Sequence, residues 1–191
     1  MSDNLLRAFI AVDIPDGKVK QNILELQSAI SRTGADLKLV EPENIHITLR
    51  FLGDIRRSMI DGLKAELRRI QFQPFGVKLR GVGVFQDFRR INVIWIGIDE
   101  GNMGLLDLYG RITRSLERLG IPPDRRGLSL HLTVARARSG RNRETLSKTI
   151  EELSASEFGH VEVGSFQLKQ STLTPQGPIY QSLCEVSATK P

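Results

Sequence analysis

Residues 45–52 read IHITLRFL and residues 129–135 read SLHLTVA. Each stretch alternates apolar and polar residues with period two, which is typical of a β-strand with one buried face. Because successive side chains of a strand point to opposite faces, the histidine and the threonine two positions later share the face that is not buried. The two stretches therefore predict matching strands whose polar faces carry the same pair of side chains.

These side chains are His46 and Thr48 in the first half of the chain and His131 and Thr133 in the second. The chain has three histidines, and chance alone would place a threonine two positions after two of them on the order of 1% of the time. For either motif alone, a hydrogen-bonded structural histidine is the alternative. The third histidine, His160, has no such companion, and we expect it at the surface or at the end of a strand.

The segments around the two motifs follow the same order in both halves, since a strand and a helix precede each motif and a helix and a strand follow it. Asp13 and Asp99, which end the first strand of each half, are about 85 residues apart, as are the two histidines. This predicts an internal duplication, with repeats at 5–90 and 91–185 in one bilobal domain spanning 1–191. Accidental similarity of two α+β segments is the alternative. The predicted strands cover 7–14, 45–52, 75–85, 92–99, 129–135, 158–163 and 165–169, and helices are predicted around Ile23, from Ser58, around Ile112 and around Ile150.

Composition excludes several classes of protein. The chain of 191 residues has 40% hydrophobic and 26% charged residues, which are globular values and exclude disorder, collagen and coiled coil. The apolar run Val93–Ile98 is far shorter than the roughly 18 residues of a membrane span. The first residues lack the continuous apolar region of a secretory signal, so we expect a cytoplasmic protein with no membrane contact. Cys184 is the only cysteine, which excludes an internal disulfide.

Two histidines on polar strand faces favour acid–base chemistry over metal binding. A zinc site normally has three or four protein ligands, and the sequence has no close His-x-x-x-His pair, so we expect neither metal nor cofactor, with a metal site as the alternative. Imidazole titrates near neutral pH, so one histidine is able to take a proton from water while the other gives one to a leaving oxygen. This pattern is typical of phosphodiester cleavage.

Neighbouring side chains fit a phosphate in the same place. The hydroxyls of Thr48 and Thr133 are able to donate to non-bridging phosphate oxygens, although a structural hydrogen bond is their alternative role. Arg50 continues the period-two face of the first motif and is a candidate phosphate ligand. Its counterpart in the second half is Ala135, and Arg136 one position later is the corresponding candidate.

Positive charge is concentrated beside the second motif. Between positions 125 and 143 the chain has six arginines and no acidic residue, and the whole chain has a formal net charge of +5. Such clustering contributes salt-sensitive affinity for the phosphates of a polyanion, while a solvated loop is the alternative. The aromatic content of 6% argues against extensive base stacking and favours a short RNA end. The arginines are Arg125, Arg126, Arg136, Arg138, Arg141 and Arg143.

With these motifs in order, the chain resembles the two-histidine (2H) phosphoesterase superfamily, and more closely the RNA 2′,3′-cyclic phosphodiesterases, first described as 2′-5′ RNA ligases. The resemblance covers nearly the whole length. It includes RAFIAVDIP at 7–15, HITLRFLG at 46–53, VIWIGI at 93–98, HLTVAR at 131–136 and LTPQGPIYQSL at 173–183.

The resemblance implies an α+β fold in which two antiparallel sheets flank a central groove, with helices outside. It also implies hydrolysis of an RNA 2′,3′-cyclic phosphate to a 2′-phosphate without ATP or metal, and reversible 2′-5′ ligation. In this family the first histidine is the proton donor and the second the proton acceptor, which assigns those roles to His46 and His131, with Thr48 and Thr133 holding the phosphate. We expect a monomer whose partner is RNA with a cyclic phosphate end, with tRNA-derived ends as a candidate source.

Two segments need separate treatment. The sequence FQDFRRINVIW at 85–95 lacks the prolines that family members often have there, so we assign no role to Arg89 or Arg90. Near the C-terminus, Tyr180 is a candidate groove-lining, substrate-binding residue. The rest of that segment matches the family signature, and we interpret it as structural, because turn geometry alone explains its prolines and glycine; its matching residues are Ser171, Pro175, Gly177 and Pro178.

Two other functions stay open at this point. One is hydrolysis of small cyclic nucleotides or 2′-5′ oligoadenylates by the same chemistry, which dependence on chain length would separate from RNA-end hydrolysis. The other is an RNA- or nucleotide-binding module without turnover, against which the intact histidines and threonines of both halves argue.

Overall fold

The computed structural model describes residues 5–88, 90–124, 127–175 and 177–189. These residues form nine strands and four α-helices, with short 3₁₀ turns at Pro42–Asn44 and Arg57–Met59. The strands are β1 (Leu5–Asp13), β2 (Leu37–Leu39), β3 (His46–Arg56), β4 (Phe75–Asp87), β5 (Arg90–Glu100), β6 (His131–Ala137), β7 (Glu157–Val163), β8 (Ser165–Thr174) and β9 (Gly177–Ser187). The helices are α1 (Lys18–Ser31), α2 (Ile60–Leu67), α3 (Asn102–Glu117) and α4 (Arg143–Glu152).

The helices form where apolar residues recur at helical spacing. In α1, the buried side chains Ile23, Leu26 and Ile30 fall on one face, and α3 buries Leu105, Leu108, Ile112 and Leu116 in the same way. Burial of such a stripe against a sheet stabilises a helix more than its intrinsic propensity does.

The strands form one antiparallel sheet in the order β7-β4-β5-β6-β3-β1-β8-β9, with β2 paired to β6. Its centre is the contact between β3 and β6, where Ile47 pairs with Leu132. Both side chains are fully buried, and α3 packs on β3 while α1 packs on β6. The helices therefore cover the face of the central strands that carries the apolar residues of the two motifs.

The structure confirms an α+β fold dominated by antiparallel strands. The two expected sheets are present as two four-stranded halves, β7-β4-β5-β6 and β3-β1-β8-β9, which the central pair joins into one sheet. Strands from one half of the sequence pair with strands from the other half. In this way β4 pairs with β5, and β8 of the C-terminal β8–β9 hairpin pairs with β1. The proposed repeats at 5–90 and 91–185 stay a prediction.

Two strands were missing from the sequence prediction. The three residues of β2 are too few for a periodic pattern to emerge. Gly177 and Pro178 favour a turn, and Thr174 does pair with Gly177 at the end of the β8–β9 hairpin; the chain then continues to Ser187 as a strand paired with β8, which the sequence does not predict. His160 lies exposed on β7, as predicted.

Candidate active site

The two His-x-Thr motifs lie side by side at the centre of the sheet. With the apolar residues between them paired across β3 and β6, the antiparallel register places His46 opposite Thr133 and Thr48 opposite His131. Strand alternation then puts all four polar side chains on the face opposite the paired apolar residues. On that face they line one groove with a volume of about 880 Å³. The structure thus brings together the four residues that the sequence motifs predict.

Backbone carbonyls orient both imidazole rings. His46 Nδ1 lies 2.6 Å from the carbonyl oxygen of Asn44, and His131 Nδ1 lies 2.9 Å from that of Ser129. Since a carbonyl only accepts hydrogen bonds, Nδ1 is the protonated nitrogen in each ring, and Nε2 is left for the groove. His46 Nε2 lies 3.0 Å from the Thr48 hydroxyl.

His46 occupies the more buried position. Burial is the main cause that lowers its pKa from 6.5 to about 4, and the positive charge of Lys169 and the proximity of His131 act in the same direction. The carbonyl of Asn44 and the carboxylate of Asp13 oppose this shift. Asp13 pairs with His46 across β1 and β3, and its Oδ1 lies 2.5 Å from Lys169 Nζ. An ion pair between a buried lysine and a partly exposed aspartate therefore lies beside the first histidine.

His131 is held by aromatic packing. The Phe85 ring and the imidazole meet in a T-shaped arrangement with ring centroids 4.6 Å apart, and Trp95 packs against Phe85 with centroids 5.7 Å apart. Trp95 lies flat on Gly83, where an added Cβ would overlap the indole ring. Burial lowers the pKa of His131 below 6.5, and the charge of Arg136 adds to this.

A β-bulge after Thr48 explains why the prediction for Arg50 is wrong. Thr48 and Arg50 pair with successive residues of β1, so Leu49 is the extra residue. The bulge turns Arg50 to the core side, where it is 4% exposed, and brings Phe51 into the groove.

Arg50 instead anchors the loop that follows α3. Its Nη2 donates a hydrogen bond to the carbonyl oxygen of Pro122, and its Nη1 lies 3.7 Å from Asp124 Oδ2. These contacts hold the guanidinium outside the groove, so Arg50 has a structural role and is not a phosphate ligand.

The second motif strand has the matching bulge, which brings Arg136 into the groove as predicted. Thr133 and Ala135 pair with successive residues of β5, so Val134 is the extra residue. Ala135 is buried and Arg136 lines the groove. Lys38 of β2 pairs with Arg136 and also lines the groove, which gives this side two cations.

Tyr180 lies in the groove beside His46. Its ring is 5.5 Å from the imidazole and 4.8 Å from the Phe9 ring, and burial raises its pKa above 10.0. The β8–β9 hairpin also supplies Gly177 and Pro178 to the groove, for which the sequence predicts only a structural role. A strand prediction around Tyr180, together with recognition of the bulge in β3, would have identified some of these groove residues. The groove residues that were missed include Arg7, Phe9, Lys38, Phe51, Phe85 and Ile179.

Other predicted features fall elsewhere. Arg125 and Arg126 lie outside the described residues. Within the described ranges, no group of three or more His, Cys, Asp or Glu side chains is arranged to hold a metal ion. None of the helices that the structure describes combines the length and apolar character needed to cross a lipid bilayer.

An α+β fold whose antiparallel sheet carries two paired His-x-Thr strands on the floor of a groove defines a two-histidine phosphoesterase. The family model described as LigT like phosphoesterase matches residues 12–95 and again residues 96–180. The chain belongs to this LigT-like phosphoesterase family. The two matched segments lie close to the two halves predicted from the sequence.

Relatives and solved structures agree with this assignment. The chain is 39% identical over 166 residues to the RNA 2′,3′-cyclic phosphodiesterase of Aeropyrum pernix, covering 87% of this chain and 94% of that protein. It is 38% identical over 181 residues to the protein of the same name from Archaeoglobus fulgidus, covering 93% and 98%. A crystal structure from Thermus thermophilus superposes with a TM-score of 0.79 at 28% identity, covering 95% and 97%. Escherichia coli LigT shares the fold, with a TM-score of 0.77 at 23% identity and coverage of 97% and 99%.

Proposed function

We propose that this chain hydrolyses RNA 2′,3′-cyclic phosphate ends to 2′-phosphomonoesters. The observation that carries the proposal is the cluster of two imidazoles and two threonine hydroxyls on one face of the central strands, all lining one groove. The names of the archaeal relatives, which align over most of both chains, support the same reaction.

In the proposed reaction, His131 acts as the base and His46 as the acid. Nε2 of His131 takes a proton from a water molecule as its oxygen attacks phosphorus, and the bond from phosphorus to the 3′ oxygen breaks. Protonated His46 gives its Nε2 proton to the departing 3′ oxygen, which leaves a 2′-phosphate. His131 is then protonated and His46 neutral, and exchange with solvent restores the starting state. Backbone bonds at both Nδ1 atoms keep Nε2 available for these transfers.

The groove supplies hydrogen-bond donors for the charge that develops on the phosphate. Thr48 and Thr133 lie on the neighbouring strands β3 and β6, so their hydroxyls approach the phosphate from two sides. Arg136 lines the same groove and adds a positive charge. Because these donors are fixed by the sheet, little reorganisation accompanies the reaction.

A direct test is incubation of a short RNA carrying a 2′,3′-cyclic phosphate with the protein in EDTA, followed by mapping of the terminal phosphate. Formation of a 2′-phosphate is the expected result, since proton transfer by the two histidines needs no metal. A 3′-phosphate would mean that the 2′ oxygen leaves. Binding without turnover would contradict the proposed hydrolysis and indicate a binding module instead of an enzyme.

The pKa shifts predict an acidic optimum for kcat/KM. This parameter reports ionisation of the free enzyme, and it requires neutral His131 together with protonated His46. The pKa of His46 is about 4 and that of His131 is also lowered from 6.5, so the product of the two fractions is greatest below pH 6.5. A bound phosphate anion raises both pKa values, so the profile of kcat shifts to higher pH. In His46→Ala the decline of kcat/KM at alkaline pH should disappear, and a wild-type maximum above pH 6.5 would contradict the prediction.

Phe51 is predicted to contribute to substrate binding by stacking on a base. Its ring lines the groove and is 52% exposed, so its removal should cost little stability. Base stacking on an aromatic side chain is worth about 1–3 kcal/mol, so Phe51→Ala should raise KM roughly tenfold with kcat retained. Steady-state kinetics on a short RNA measure this effect. Phe88→Ala is the matched control, since Phe88 is exposed outside the groove, and equal KM values for both variants would refute the role.

We propose that the protein acts as a monomer in the cytoplasm, in keeping with a groove that one chain completes and with a single buried cysteine. Reversal of the same steps would join a 5′ hydroxyl to a cyclic phosphate and form a 2′-5′ linkage, so ligation is part of the proposal. Ends derived from tRNA are candidate substrates.

A further inference from the structure

A second concave site lies where β5 begins and β6 ends, against the beginning of α4. Its volume is about 270 Å³. Four arginines line it, and no carboxylate does, within the described part of the chain. We call it the arginine pocket, defined by Arg90, Arg138, Arg141 and Arg143.

Part of the positive charge of this pocket is not neutralised by the described residues, whereas other cations of the chain are paired with carboxylates. Lys78 lies between 3.1 and 3.9 Å from three carboxylates, and Arg111 Nε is 2.8 Å from Asp107. By contrast, the side chains of Arg90 and Arg138 have no hydrogen bond or ion pair with any residue in the described ranges, and both are exposed. Like charges gathered in one concavity repel one another, and a bound polyanion relieves that repulsion.

The strand that carries the second histidine connects the active-site groove with the arginine pocket. Along β6, Thr133 and Arg136 line the groove, and Arg138, two residues further, lines the pocket. At roughly 3.3 Å per residue, Thr133 and Arg138 are about 16 Å apart along the strand. A few nucleotides of extended RNA span this length, so one strand is able to occupy both sites.

We infer that the arginine pocket binds internucleotide phosphates of the substrate RNA, a few nucleotides from its cyclic end. This inference rests on the proposed function, because it assumes that the cyclic phosphate sits at the two histidines. Guanidinium groups donate paired hydrogen bonds that match phosphate oxygens, and such contacts carry no base sequence information. The site therefore selects oligonucleotides over mononucleotides without regard to sequence.

The test compares a 2′,3′-cyclic mononucleotide with di-, tetra- and hexanucleotides that end in the same cyclic nucleotide. In the wild-type protein, kcat/KM should rise with length until the RNA reaches the pocket and then level off. In the double variant Arg138→Glu and Arg141→Glu, the ratio of kcat/KM for the hexanucleotide to that for the mononucleotide should fall roughly ten- to a hundredfold. The matched control is Arg57→Glu combined with Arg68→Glu, which reverses two exposed charges on either side of α2 and should leave this ratio unchanged.

Salt dependence gives a second measurement that needs no variant. Each phosphate contact to a single strand adds about 0.7 to the slope of log affinity against log salt, so the hexanucleotide should show a steeper slope than the mononucleotide. Equal slopes, or a length preference that survives the double variant, would overturn the pocket while leaving the proposed reaction intact. Absence of turnover with every substrate would overturn the proposed function instead.

Discussion

Replacing His131 with Ala is expected to lower kcat/KM for the cyclic-phosphate RNA by roughly 10²–10⁴-fold, the usual scale for a positioned acid or base. Without this imidazole the groove lacks its base, because the other imidazole, His46, has to be protonated to act as the acid and cannot take the proton from the attacking water. Phe85 packs on Trp95 as well as on His131, so the site keeps its shape when the imidazole ring is removed.

The third histidine provides the control for this prediction. His160 lies exposed on β7, outside the groove, and His160→Ala should retain wild-type kcat/KM. Thermal unfolding of both variants separates a loss of chemistry from a loss of folded protein. Turnover of His131→Ala close to that of His160→Ala would eliminate His131 as the base.

The sequence predicts the four central side chains because their signal is local. In a His-x-Thr strand, the apolar residue between the histidine and the threonine defines the buried face whatever the neighbouring strands are. The pairing of β3 with β6 then brings two such strands together. Period-two alternation fails at the next step, where the bulge at Leu49 turns Arg50 to the core. The extra residue is defined by the register with β1, which is a long-range property of the sheet.

The same distinction explains the other differences between prediction and structure. Arg136 reaches the groove because of the bulge at Val134, and alternation alone would have assigned that position to Ala135. The partners of His46 come from distant parts of the chain, since Lys169 is on β8 and Tyr180 on β9. Burial by these strands lowers the pKa of His46, and no sequence pattern around the motif encodes that burial.

Replacing His46 with Ala should lower kcat/KM for the RNA substrate by a similar factor of roughly 10²–10⁴, but only when the leaving group needs a proton. The 3′ oxygen of ribose departs as an alcohol, so removal of the acid leaves an unstable alkoxide. A p-nitrophenyl phosphodiester loses its aryl oxygen as a stable anion. For that substrate, His46→Ala should lose less than about tenfold, whereas His131→Ala should lose activity with both substrates.

This crossover assigns the two roles independently of overall activity. If His46 were the base and His131 the acid, the aryl ester would rescue His131→Ala instead. Equal losses of both variants on both substrates would point to a shared role in holding the phosphate, without proton transfer. His46 packs 5.1 Å from Phe9 and 5.5 Å from Tyr180, so its removal also perturbs the groove wall. A perturbed wall would weaken binding of both substrates alike, while a lost proton donor affects only the alcohol leaving group, and the ratio of the two losses isolates that step.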